Sequence, residues 1–560
     1  MTEKILVCVA WPYANGSLHT GQIVGAYLPA DIFARYQRAV GNRVAMVSGS
    51  DMHGTPITVR AEQEGRTPAE VAGQFHDEFL ETWDRLGIQW ELYTTTGTQN
   101  HAETTQDIFL RLYQQGDIFT QTMKLPYCAV EQRFLLDRYV EGTCPICGDE
   151  NARGDQCDNC GNVLDPVDLK DRRCKFDGSE PELRDSEHFF LRLSAYGEDL
   201  KRWLSDGKEH WRKNVLNFSL GVLQQGLQDR AISRDLEWGI PIPIEGYASK
   251  RIYVWFENVI GYHSATKEFA QRSGEPEAWR EFWQDPDCRS YYFIGKDNIF
   301  FHTLSWPAEL MGYARATGET YVLPYDVPAN QFQTVRGSKA STSQRRAIWV
   351  PDFLSRYDPD PLRYYLSVNM PETSDADFSW GDFVRRNNDE LVATWGNLAN
   401  RVLTFTYRNF EGRVPTPATL TAADSALLAR AEAALAATGE NIGLCRFRAG
   451  LEAAMAVARE ANRYVEENAP WSLVKSDRER CATVLHTAIS VIATLKTALY
   501  PYLPFTCQQL HGFLGNEGPL DAAGWRAVIP QPGRPLAEPK PLFKKLDPSI
   551  VEEEEARLGQ

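Results

Sequence analysis

Long uncharged apolar runs are missing from this 560-residue sequence, and with them the usual means of crossing a bilayer, about 20 consecutive apolar residues. The most apolar late stretch, 485–505, is interrupted by His486, Lys496, Pro501 and Pro504 and predicts a core-facing helix. The opening MTEKILVCVAW lacks the basic start, long apolar core and small-residue cleavage site of a secretory leader. The expected compartment is the cytoplasm, with no membrane partner. Positive charge is also in deficit: 59 Lys and Arg against 75 Asp and Glu give −16, which argues against indiscriminate nucleic-acid binding and against DNA as a partner. One basic face could still hold a polyanion. A disulfide framework is not expected in a reducing compartment, although there are 11 cysteines, four grouped and seven scattered. No internal repeat is present.

What is there is the composition of a folded chain, 43% hydrophobic and 24% charged, long enough for three or four domains. Lys4 to Ala10 is a short apolar run that breaks at Trp11-Pro12-Tyr13-Ala14-Asn15-Gly16, which predicts a buried strand and a turn. Leu18 to Val40 has helical spacing ending at Gly41, and Val44 to Ser48 predicts the next strand. Strand, loop, helix, strand opens a parallel α/β domain. From 116 to 230 the pattern turns irregular and predicts an insertion between two halves of one nucleotide-binding domain, 1–115 and 231–325. The second half resumes with apolar runs at Ile252 to Trp255 and Tyr291 to Gly295, both expected as strands. A further region covers 326–385. Beyond it, 422–437 and 445–467 are rich in Ala, Leu, Glu and Arg, so 386–545 is expected as a helical bundle. The end, 546–560, contains Glu552-Glu553-Glu554-Glu555 and is expected as a solvated acidic tail.

Within 144–160, Cys144-Pro-Ile-Cys147 and Cys157-Asp-Asn-Cys160 are two C-x-x-C pairs across a short polar loop. Four thiolates at this spacing suit one tetrahedral zinc. With every position filled by protein, the zinc is expected to be structural. Lone Cys8, Cys128 and Cys174 are expected to be packing or surface thiols.

His19-Thr20-Gly21-Gln22 follows the first strand and its turn, at the start of a helix. Free N–H groups there can hold phosphate, Gly21 allows a close backbone approach, and His19 can donate to a developing oxyanion. Alone, the pattern is equally that of a histidine capping its helix.

Together with the opening strand and PYANGS, these residues resemble the H-I-G-H signature of class I aminoacyl-tRNA synthetases, in the form found in methionyl-tRNA synthetases. The resemblance continues through Ser50-Asp51-Met52-His53-Gly54, a single zinc knuckle, Ile232 to Asp235, Val254-Trp255 with Ile260-Gly261-Tyr262, and Gly295-Lys296-Asp297 with Phe301-His302. It implies a Rossmann-type α/β catalytic domain with a connective-peptide insertion, then an all-α anticodon-binding domain. It further implies that Asp51 holds the amino group of the amino acid, and that Ala10, Trp11, Tyr13, Trp255, Asn258, Tyr262, Phe301 and His302 line its pocket. ATP and Mg²⁺ are implied at His19, Gly21, Gln22, Lys296, Asp297 and Lys339. Lys339-Ala-Ser-Thr342-Ser stands at the mobile K-M-S-K-S loop of the stem-contact region 326–385. Asn397, Arg401 and Trp471 match anticodon-reading positions, where an aromatic ring stacks an unpaired base and amide or guanidinium groups read its edge.

Departures from the family pattern gather at the active site. Gln22 replaces the second signature histidine, Thr342 replaces the second loop lysine, and Glu257-Asn258 replaces Asp-Ala, with His263 just beyond. Lys339, or Arg345 and Arg346, is left to supply charge to the phosphates. Either Asn258 and His263 bond to the protein, or the substrate has a polar side chain. The expected function is methionine–tRNA ligation by a monomer, the monomer resting on fold analogy. A second reading is a paralogue that passes the activated amino acid to a small amine or hydroxylamine; a third is a non-catalytic tRNA-binding protein.

Overall fold

The structure, a computed structural model, describes residues 2–135, 139–154, 157, 160, 164–335, 337–339 and 347–558. Strands β1 (Lys4–Val9), β2 (Arg43–Ser50), β3 (Leu92–Thr95) and β4 (Arg289–Phe293) form a parallel sheet in the order β4-β1-β2-β3. Helices cover both faces, so the strands are apolar throughout: every residue from Ile5 to Val9 is buried. Connections leave β1 in opposite directions toward β2 and β4. The carboxyl ends of these strands therefore open on the crevice where such sheets bind ligands.

The first helix runs through Thr20–Gln22, a π-helical stretch Ile23–Tyr27, and Leu28–Ala39. It begins two residues later than the apolar spacing predicts because His19, in an extended conformation, is its N-cap. The insertion is built on a long antiparallel ribbon, Ile118–Cys128 against Glu182–Leu191. Beside it, a small sheet of Val140–Thr143, Ala152–Arg153 and Lys170–Cys174 carries the cysteine turns.

Expectation and structure part at Ile252 to Trp255. Only Lys250–Ile252 is a strand; Tyr253 caps a helix, Val254–Arg272, that contains Val254 and Trp255. That helix is buried on nearly every side from Phe256 to Thr266, so no 3.6-residue polar stripe marks it. In the bundle, Ala422–Gly443, Phe447–Asn468 and Arg478–Leu499 are the long helices. The helix expected from Cys445 starts at Phe447, because Cys445 turns the chain at φ +53°. Arg478–Leu499 is long and apolar enough to cross a membrane, but its whole apolar window lies inside the fold.

One hydrophobic core continues from Ile5, Val7 and Phe293 through Leu362 and Tyr365 to Leu485 and Leu499, so the α/β domain and the bundle share their interior. At its centre sits a buried charge cluster. Asp31 Oδ2 accepts from Arg35 Nε at 2.9 Å and from Arg363 Nη2 at 2.6 Å. Arg35 reaches the Tyr500 hydroxyl at 2.8 Å, and Arg363 donates to the carbonyls of Pro501 and Tyr502 at 2.7 and 3.0 Å. Burial alone raises the Asp31 carboxyl, but the two guanidinium groups outweigh it and hold it below its usual value. The acidic tail is corrected as well. Glu552–Glu555 lies in a helix, Ile550–Arg557, whose Glu554 is buried, bonded to Arg356 at 2.7 and 2.9 Å and to Tyr357 at 2.8 Å.

Arg363→Met should lower stability by about 3–5 kcal/mol, since it strips a buried carboxylate of one of its two cations. Urea unfolding followed by tryptophan fluorescence reads this as a lower midpoint. The contribution of Asp31 is fully present above the ordinary carboxylate pKa and is lost as pH falls through the depressed folded value.

Candidate active site

Asp51 lies just beyond β2, 1% exposed, bridged to Tyr13 in the turn after β1. Both its oxygens are held: Oδ1 accepts from the His53 backbone N–H at 3.1 Å, and Oδ2 from Asn258 Nδ2 at 2.8 Å. Burial, and after it the nearby Glu257 carboxylate, pushes Asp51 up to about 7. Asn258 is thus answered within the protein. His263 points elsewhere, into a buried ring of Trp279, Trp283, Tyr313 and Tyr321, and burial keeps it neutral.

Aromatic side chains wall the space beside Asp51. Trp255 stacks on Phe301 with ring centres 4.1 Å apart and meets Tyr13 edge-on at 6.4 Å. Trp11 packs 6.4 Å from Tyr262. It can do so only because Gly49 and Gly261 lack side chains: a Cβ at either would lie 2.2 or 2.7 Å from the indole. A Cβ at Gly54 would likewise meet Tyr13 at 2.2 Å. Ala10 is anchored by its carbonyl, which accepts from Tyr27 at 3.0 Å. His302 Nδ1 is 2.9 Å from the Asn298 carbonyl, which can only accept, so the ring proton sits on Nδ1. Tyr262 O–H then donates to Nε2 at 2.7 Å. Burial lowers His302 to about 4, so this pair is neutral, and the wall is apolar with one weakly polar edge.

At the nucleotide end the expected residues serve the backbone first. His19 Nδ1 accepts from the Gln22 N–H at 3.4 Å while Gln22 Oε1 accepts from the His19 N–H at 3.0 Å. This reciprocal cap fixes the helix start and leaves the Gln22 amino group to face the crevice side. Gly21 lies within that first turn. Lys296 and Asp297 stand just beyond β4; Lys296 Nζ bonds Asp375 at 2.7 Å. Lys339 belongs to a short strand, Ser338–Lys339, paired with Gln333–Val335. Thr342, Arg345 and Arg346 lie outside the described residues.

In the bundle, Asn397, Arg401 and Trp471 come together as expected. The Arg401 guanidinium lies 4.4 Å over the Trp471 ring and bonds Glu466 at 2.8 Å. Arg401 separates two cavities. One, about 420 Å³, is lined by Asn397, Arg459, Asn462, Arg463 and Glu466; the other, about 270 Å³, by Phe405, Arg408, Pro470 and Trp471. Arg459, Asn462 and Arg463 were not foreseen, though their spacing places them on one helix face.

Cys144, Cys147, Cys157 and Cys160 present four sulfurs within 4.8 Å of one another, with Cys144 to Cys160 at 3.9 Å and Cys147 to Cys157 at 3.5 Å. A zinc with bonds of about 2.3 Å needs sulfurs roughly 3.8 Å apart, so the set fits. Backbone N–H groups of Cys147 and Ile146 draw the Cys144 thiol below its usual value, toward the thiolate a metal needs. Cys128 and Cys174, expected as isolated thiols, instead meet Asp177. Cys128 Sγ donates to Asp177 Oδ2 at 3.0 Å, and burial pushes Cys174 up to about 11, which keeps it protonated.

Two family models cover nearly all of the chain: "tRNA synthetases class I (M)" over 5–403, and "Anticodon binding domain of methionyl tRNA ligase" over 414–560. The methionine–tRNA ligase of Dehalococcoides mccartyi is 55% identical over 559 residues, covering 100% of both chains. That of Thermomicrobium roseum is 52% identical over 584 residues, covering 100% of this chain and 99% of its own. Mycobacterium tuberculosis methionyl-tRNA synthetase, solved in complex with methionyl-adenylate, superposes with a TM-score of 0.80 at 25% identity, over 97% of this chain and 100% of that one. The sheet, the knuckle and the bundle thus recur in one order along one chain, and this protein belongs to the methionyl-tRNA synthetase family of class I aminoacyl-tRNA synthetases.

Proposed function

We propose that the chain activates methionine with ATP, giving methionyl-adenylate and pyrophosphate, and then esterifies the 3′ end of methionine tRNA. The observation that carries this reading is Asp51, a buried carboxylate with both oxygens oriented, beside an aromatic pocket at the carboxyl end of a parallel sheet. Its charge suits an α-ammonium group, and the neutral Tyr262–His302 pair with Ala10, Trp11, Tyr13, Trp255 and Phe301 suits a thioether. The methionine carboxylate attacks the α-phosphorus and pyrophosphate leaves; a tRNA hydroxyl then attacks the acyl carbon and AMP leaves. No protein nucleophile is required, so catalysis is positioning and electrostatics. His19, the N–H groups around Gly21, the Gln22 amino group, Lys296, Asp297 and the Lys339 strand attend the nucleotide, and Mg²⁺ accompanies its phosphates. Asn397, Arg401 and Trp471 take the anticodon. We further propose one structural zinc on the four cysteines, a monomeric state and a cytoplasmic location.

The small-acceptor reading loses its main support, because the Asn258 amide bonds to Asp51 and leaves no polar mismatch for a polar substrate to answer.

Asp51→Ala should reduce ATP–pyrophosphate exchange by about 10²–10⁴-fold for every amino acid, since it leaves a buried ammonium without its counter-charge. Undiminished exchange would place the amino acid elsewhere. Trp471→Ala should cut tRNA charging by about 5–150-fold through lost stacking while leaving exchange unchanged; equal charging by the variant would point away from tRNA as acceptor. Metal analysis should find one zinc per chain, and Cys144→Ser should release it and expose 140–174 to proteolysis. A zinc-free wild-type protein with the same protease resistance would refute that assignment.

A further inference from the structure

Beneath Asp51 lies a second buried charge that amino-acid activation does not itself use. Glu257, fully buried, precedes Asn258 on the Val254–Arg272 helix. Its Oε2 is 2.9 Å from His53 Nδ1 and 3.4 Å from His101 Nε2. His53 is the residue whose backbone N–H holds Asp51 Oδ1, and Asn258 holds Oδ2. Its ring packs edge-on against Trp238 at 5.5 Å, while Trp238 Nε1 donates to the Met52 carbonyl at 2.6 Å and the Met52 N–H to Thr96 at 2.9 Å. The segment carrying Asp51 is therefore pinned from the helix, from β3 and from the segment after the insertion. Farther out, His76 and Tyr93 bond Ser50, and Glu268 bonds Thr94.

Two carboxylates in one dry site cannot both stay ionised without a cation between them. Here the cation is in place, since Glu257 raises His53 against the effect of burial, and His53 in turn holds Glu257 below its usual value despite burial. From this geometry we infer that His53 and Glu257 are positioning residues of the amino-acid site: their ion pair orients Asp51 and keeps Glu257 from competing with it for the substrate ammonium. The inference rests on the reading that Asp51 receives that ammonium. Asp51, raised by burial and Glu257, must lose its proton to bind an ammonium, so kcat/KM for methionine in the wild type should fall as pH drops below about 7.

The test is the pH profile of methionine-dependent pyrophosphate exchange. His53→Gln leaves Glu257 uncompensated, so its repulsion should move the acid limb to higher pH and raise the methionine KM about tenfold or more, with the ATP KM unchanged. The double variant His53→Gln/Glu257→Gln removes both charges together and should return the limb to the wild-type pH or below it, with the methionine KM restored to within about tenfold. A purely structural role predicts no movement of the limb and no rescue. An acid limb in His53→Gln that coincides with the wild type, or a double variant that stays with the single one, overturns the inference. Should His53→Gln fail to fold, the double variant decides alone: a methionine KM more than about tenfold above wild type overturns the inference, a smaller change supports it. Asp51→Asn separates the two levels. If it leaves exchange intact, the site reading itself fails; if it abolishes exchange while His53→Gln keeps the wild-type limb, only the positioning role fails.

Discussion

The shared carboxylate of Asp31 is the point on which the architecture turns. Two arginines, one on its own helix and one 332 residues along the chain, meet it in a fully buried setting. They then spend their remaining donors on the Gly87 and Leu86 carbonyls of the α/β domain and the Pro501 and Tyr502 carbonyls of the bundle. A charge so deep is tolerable only when every donor is answered. The arrangement therefore specifies how the two domains meet, not only that they meet. Since the hydrophobic core is continuous across the same boundary, the anticodon platform and the crevice are two ends of one packed body.

A similar economy governs the crevice. The residues that attend the nucleotide also build the helix start, so His19 and Gln22 have a structural task that replacing histidine by glutamine preserves: the Gln22 carbonyl accepts the cap hydrogen bond. Asn258 resolves another departure. An amide beside a thioether pocket would be costly if unpaired, but this one spends its donor on Asp51 and turns from an intruder into part of the binding group.

Much of this was legible from residue order alone. The strand-turn-helix opening, the cysteine spacing and the alanine-rich helices all rest on short-range patterns, which survive without tertiary information. The failures share a cause. Val254 and Trp255 read as strand because a helix buried on every side has no polar stripe. Glu554 read as solvent-exposed because its partners, Arg356 and Tyr357, lie nearly two hundred residues earlier. Cys128, Cys174 and Asp177 meet only when the long ribbon pairs, and Glu257 finds His53 across 204 positions. Such contacts leave no periodic trace, so only the folded chain reveals them.

The indole of Trp11, wedged between Gly49 and Gly261, bears on how this pocket could evolve under drug pressure. At Gly49 even one added carbon would also strike the Thr94 carbonyl at 2.4 Å, which as backbone cannot swing aside. A competitive inhibitor that rests on the Trp11 face is therefore supported by positions where side chains are barred. Escape by point mutation would have to come from the aromatic residues themselves, whose loss also removes the surface that methionine uses.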